Sequence, residues 1–183
     1  MPPHEQSQAC LTTSQGAGYS RPLFVINIEV KVPTPFCFGY NTLMTRVTFY
    51  LLNQNGPNAE HFACRLTDKA WRGGLPVHIH TLDEADCHAM DRLLWEWREE
   101  SFLPHARSDS GYPQGTPITL GFKTPELSQR RVLINLAPEV PSFFNDFDRV
   151  CEIVIQTPEL KEVSRAKFRA YRQVGITPET HNI

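Results

Sequence analysis

VTFYLLNQNGPNAEHFACRLTDKAWRGGLPVHIH, running from Val47 to His80, contains one complete unit of the fold. Val47–Leu52 is β-branched, aromatic and almost wholly apolar, the composition of a short strand buried on both faces. NQNGPN is a turn cluster. Across residues 59–72 the period changes: Phe62, Leu66 and Ala70 recur at helical spacing with Ala63 beside them, which predicts an amphipathic helix. Gly73-Gly74 tolerates the left-handed backbone that ends helices, and Leu75–His80 reads as a second strand. Strand, helix and strand at this spacing imply a right-handed βαβ unit in a parallel sheet.

The same alternation continues toward the C-terminus. Thr81 or Asp83 is placed to cap a helix over DEADCHAMDRLLWEWREE, with Ala89, Leu93 and Trp97 as its expected apolar stripe. SFLPHARSDSGYPQGTP reads as a loop, Pro117–Phe122 and Arg131–Leu136 as strands, and VPSFFNDF as a short helix capped by Ser142. Cys151–Gln156 is expected to be the last strand. In TPELKEVSRAKFRAYRQVG, Thr157 caps a closing helix, Pro158 takes its first position and Gly175 ends it. The prediction is an α/β fold: a single Rossmann-like domain with a mostly parallel sheet and helices on both faces.

Toward the N-terminus the pattern stops. Residues 1–43 open with a stretch rich in Ser, Gln, Gly and Pro, which buries too little apolar surface to offset the entropy of ordering. They are expected to be a disordered or non-native extension, with Met44 as the natural start. The alternative is a genuine extra edge strand at Leu23–Val32. Residues 44–183 are expected to form the domain.

Composition narrows the function classes. A net charge of -2 gives no global basic excess, so the chain is not built to grip a phosphate backbone over its whole surface. Five cysteines, odd in number and without a CxxC pair, argue against a disulfide framework or zinc ribbon and suggest a reducing compartment. No apolar run reaches the roughly 18 residues a membrane span needs, and the N-terminus lacks the layout of a secretory signal. A cytoplasmic protein is expected.

No catalytic set emerges. The first strand-to-helix turn has one glycine and no GxGxxG, and no Walker loop occurs anywhere, so the phosphate-cradling backbone is missing. His78 and His80 alternate on a strand but have no convergent third ligand in sequence. Asp146 and Asp148, like Asp83, Glu84 and Asp86, suit helix N-termini. Cys87 and His88 are adjacent on a helix and point apart. No cofactor or metal is expected, and the pattern favours a binding protein.

Two features suit binding. On the last helix Lys161, Arg165 and Phe168 follow i, i+4, i+7 spacing and line one face, amid further cations at Lys167, Arg169 and Arg172. Three readings remain open here: cations offsetting the helix dipole over a core Phe168 and Tyr171, a groove for an acidic peptide with an apolar anchor, or single-stranded nucleic acid stacking on Phe168 and Tyr171. The second feature is Trp95, Trp97 and Phe102. Two tryptophans two apart on a helix cannot share a face, so Trp95 with Phe102 would make interface anchors while Trp97 is core; the alternative puts all three in the core.

MTRVTFYLL (44–52), ACRLTDKAWRGGLPVHI (63–79), LDEADCHAMDRLLW (82–95), ESFLPH (100–105), RRVLINL (130–136) and KEVSRAKFRAYRQVG (161–175) resemble, in order and spacing, the DNA polymerase III chi subunit family. The resemblance covers Met44 to about Ile176; ESFLPH and the RxKxRAYRxxG ending are its specific parts. It implies a Rossmann-like domain that has lost nucleotide binding and acts as a non-catalytic accessory subunit in DNA replication. It also implies two partners. The psi subunit, which leads to the clamp loader, would meet Trp95 and Phe102. The acidic C-terminal tail of single-stranded DNA-binding protein, ending in Pro-Phe, would meet Val154, Lys161, Arg165 and Phe168. The family often has Tyr at the position of Phe168, so the ring is kept and a hydroxyl dropped. The competing expectations are a degenerate nucleotide-binding α/β enzyme and a direct single-stranded DNA binder.

Overall fold

The computed structural model describes residues 44–53, 58–98, 102–109, 111, 115–126 and 131–183, all within the compact unit Asn41–Ile183. The extension expected over residues 1–43, with its strand-like Leu23–Val32, lies outside the described residues.

Among the described residues seven strands form one sheet: β1 Arg46–Leu52, β2 Val77–His80, β3 His105–Arg107, β4 Ile118–Gly121, β5 Val132–Asn135, β6 Arg149–Ile155 and β7 Glu179–Asn182. Their order is β3-β4-β2-β5-β6-β1-β7, and every neighbouring pair is parallel. Among the described residues three helices lie between strands: α1 Ala59–Arg72 after β1, α2 Glu84–Glu96 after β2 and α3 Pro158–Gln173 after β6.

The helices divide between the two faces, as expected. Alternate residues of the central strands build two apolar layers. Tyr50, Leu52, Ile79, Leu120, Ile134 and Ile153 meet α1 and α2 through Phe62, Ala63, Cys87, Met90 and Leu94. Val47, Phe49, Leu133, Val150 and Val154 meet Tyr171 of α3 and Phe143, Phe144 and Phe147 of the β5–β6 connection. Because strands β4 and β5 are buried throughout, they read in sequence as short continuous apolar runs rather than as alternation.

Local chemistry sets the helix ends. Asn58 accepts the His61 N–H to start α1, and Asp83, not Thr81, accepts the Asp86 N–H at 2.9 Å to start α2. Gly74 takes the left-handed backbone (φ 74°) after α1, and Gly175 (φ 84°) does so after α3.

Four local expectations are corrected. His105–Arg107, read as loop, is edge strand β3; three residues flanked by Pro, Ser and Gly are too short to show a period. Cys151–Gln156 is not the last strand, because Glu179–Asn182 adds β7 beyond β1. All four β7 side chains are exposed, so its sequence carries no apolar signal. The buried stripe of α2 is Cys87, Met90 and Leu94, one position round from the stripe expected; Ala89 is exposed, while Leu93 and Trp97 pack at the core's margin. Finally, Phe144–Asp146 is a single 3-10 turn preceded by Phe143 with no side-chain cap, so Ser142 does not cap it.

Candidate partner-binding surfaces

α3 is anchored by a buried polar network. Glu152 on β6 is fully buried among apolar neighbours, and such a charge is tolerated only with partners. Lys167 Nζ donates to Glu152 Oε2 and to the Ala137 carbonyl, both at 2.6 Å. Tyr171 Oη donates to Glu152 Oε1 at 2.6 Å, and Asn135 Nδ2 donates to Glu152 Oε1 at 3.0 Å and to the Glu139 carbonyl at 2.8 Å. Burial, reinforced by the Glu152 charge, raises the Tyr171 phenol far above its ordinary range, so it stays a donor. Lys167 is therefore not one of the cations of the outer face, contrary to the sequence expectation. Nor is Tyr171 a stacking platform, because it is fully buried.

With Lys167 and Tyr171 turned to the sheet, the opposite side of α3 faces water. Lys161 and Arg165 are exposed. Phe168 is half-buried at the margin of the same apolar layer that holds Val154, with its ring centroid 5.5 Å from Phe49. Val154 itself is 7% exposed and offers a floor rather than a wall. Arg165 Nη1 lies 3.3 Å from Glu162 Oε2. The helix thus presents two water-exposed cations, Lys161 and the Glu162-paired Arg165, beside a partly open ring, which is the chemistry for a carboxylate next to an apolar group.

The second surface is apolar. Trp95 and Phe102 are 57% and 66% exposed, where aromatic side chains this large are normally buried, and their ring centroids lie 5.7 Å apart. The placement of all three aromatics in the core is excluded, since only Trp97 packs against it. Beneath this exposed pair lies His105, a residue that the sequence did not single out. Its ring lies 4.7 Å from that of Trp95, its Nδ1 donates to the Leu103 carbonyl at 2.6 Å, and its Nε2 is 3.5 Å from Asp91 Oδ1. His105 thereby underpins Trp95. A histidine directly after Phe-Leu-Pro was the available signal.

β2 and β5 are neighbours whose connections leave on opposite faces, the switch point where such sheets bind ligands. A crevice of about 550 Å³ lies there, lined by His80, Phe122, Lys123 and residues 137–143. The adjoining N-terminus of α2, however, is capped by Asp83 and carries Glu84 and Asp86 in its first turn, so it repels a phosphate. His78 and His80 do share a face, with rings 6.4 Å apart, and His78 Nδ1 meets Thr119 Oγ1 at 2.9 Å. Among the described residues no group of three or more metal-ligating side chains converges. Cys64, Cys87 and Cys151 are buried, and burial pushes the thiols of Cys64 and Cys151 up to about 12 and about 11, so they are poor nucleophiles. Fold and surfaces together define an α/β protein whose distinctive chemistry lies in two exposed patches.

Comparison with known proteins is specific. Residues 44–179 match the family described as DNA polymerase III chi subunit, HolC. The chain is 40% identical over 141 residues to the DNA polymerase III subunit chi of Pseudomonas aeruginosa, covering 76% of this chain and 98% of that protein. It is 32% identical over 143 residues to the Escherichia coli protein of the same name, covering 75% and 97%, and 32% identical over 137 residues to that of Haemophilus influenzae, covering 74% and 95%. The chain belongs to the DNA polymerase III chi subunit family, accessory subunits of the replicative polymerase.

Proposed function

We propose that this chain is a non-catalytic adaptor that links the clamp loader to single-stranded DNA-binding protein in the bacterial cytoplasm. Trp95 and Phe102 would dock the psi subunit. The outer face of α3, with Val154, Lys161, Arg165 and Phe168, would take the acidic C-terminal tail of single-stranded DNA-binding protein. The observation that carries this reading is the α3 face itself: Lys161 and Arg165 stand open to water while Phe168 remains partly accessible beside them. Arg165 supplies a fork for a carboxylate, Lys161 a longer-range attraction, and Phe168 with Val154 an apolar seat for the terminal Phe.

The test is fluorescence anisotropy with a labelled acidic peptide ending in Pro-Phe. Arg165→Ala should weaken binding by about 2 kcal/mol or more, the cost of removing an interface anchor. Affinity should also fall with added salt, because exposed ionic contacts are screened over roughly 8 Å at physiological ionic strength. Undiminished binding by Arg165→Ala sinks the assignment. Nucleotide or oligonucleotide affinity without any protein partner would favour the enzyme or direct DNA-binding alternatives.

A further inference from the structure

Arg165 is paired with a carboxylate of its own helix. Glu162 Oε2 lies 3.3 Å from Arg165 Nη1, and the other oxygen, Oε1, lies 3.6 Å from Arg169 Nη2. One carboxylate thus spans two guanidinium groups, with all three side chains more than 60% exposed: 67% for Glu162, 68% for Arg165 and 62% for Arg169. Glu162 itself points to water rather than into the core. The buried network of α3 uses Glu152, Lys167 and Tyr171 on the opposite side, so Glu162 contributes only to the outer face.

A guanidinium fork accepts one carboxylate in good geometry. Glu162 meets Arg165 through Nη1, so a second carboxylate that pairs along an edge including Nη1 reaches it only after Glu162 has moved. We propose that Glu162 is an internal occupant of the α3 face: its carboxylate stands on Arg165 and Arg169 in the free protein and is displaced when an acidic peptide binds. This rests on the reading that the face takes such a peptide. Being tethered to the same helix, Glu162 competes at a high effective concentration. Each of its contacts is a solvent-exposed pair and therefore weak. The consequence is a threshold: a ligand that offers a carboxylate and nothing else gains little by displacing Glu162. A ligand that also places an apolar group on Phe168 gains that contact in addition.

The experiment compares wild type and Glu162→Gln, as full chains, with two fluorescein-labelled peptides ending in Pro-Phe. One keeps its internal acidic residues and the other carries their amides, leaving only the terminal carboxylate. Glu162→Gln should bind both peptides about two- to fivefold more tightly, the range that weak exposed pairs represent. Both peptides end in the same carboxylate, and a carboxylate that pairs with Arg165 through Nη1 displaces Glu162, so the gain should be similar for the two. A gain confined to the more acidic peptide would mean simple repulsion at a distance and would overturn the proposal. Unchanged binding would overturn it too, and weaker binding would show that Glu162 instead orients Arg165. If wild type takes neither peptide, both this inference and the tail-binding reading fail. If wild type binds but Glu162→Gln gains nothing, only this inference fails.

Discussion

His80 sits at the C-terminal end of β2, partly buried against the ring of Phe143, with a centroid separation of 5.2 Å. Its Nδ1 is buried and has no hydrogen-bond partner. Burial is the largest influence on its titration and lowers its pKa from 6.5; a bond to the Gly121 carbonyl opposes this, and the Lys167 charge adds to it. The native state therefore favours the neutral imidazole more than the unfolded chain does. Stability from this group is intact above the unfolded value of 6.5 and falls as pH drops below it, because the unfolded state then binds more protons. Urea midpoints measured from about pH 7.5 down to about pH 5 should decline more steeply for wild type than for His80→Gln, since only the wild type carries this imidazole. Parallel profiles would show that His80 titrates alike in both states.

At the scale of elements, α3 depends on the lock beneath it. Lys167→Met leaves Glu152 buried with its charge only partly answered by Tyr171 and Asn135, and should cost about 3 kcal/mol in chemical unfolding. Pairing it with Glu152→Gln removes the orphaned charge, so the double variant should be more stable than Lys167→Met alone. Additive losses would show that the pair is not coupled. This element also shows where sequence reading reaches and where it stops. Thr157, Pro158 and Gly175 mark the ends of α3 because capping chemistry is local. The direction of Lys167 is not local: it depends on Glu152, 15 positions earlier and on another element. A single acid within the apolar run CEIVIQ was the available sign that a cation must approach it. The strands β1, β2, β4, β5 and β6 were legible as apolar runs, whereas edge strands β3 and β7 bury one side or neither and leave no such trace. The exposure of Trp95 was open for the same reason, since a helix with Leu93, Leu94, Trp95 and Trp97 fits several rotations until its neighbours are placed.

Across the whole molecule, the two surfaces rest on different layers. α2 packs into the apolar layer on one face of the sheet and α3 into the layer on the other, with the buried strands between them. The net charge of -2 means that positive potential has to be local, and on α3 it is. If Trp95 and Phe102 dock psi and Arg165 holds an acidic tail, the two activities should be separable by substitution, because sites without shared partners act independently. Trp95→Ala with Phe102→Ala should abolish co-purification with psi while leaving peptide affinity at its wild-type value. Both rings are more than half exposed, so truncating them opens no large cavity, and the melting temperature should hold. Arg165→Ala should do the reverse, retaining psi and losing the peptide. A Trp95/Phe102 variant that loses both partners at an unchanged melting temperature would mean that the surfaces communicate through the sheet, and the picture of two independent docking faces on one rigid core would have to be abandoned.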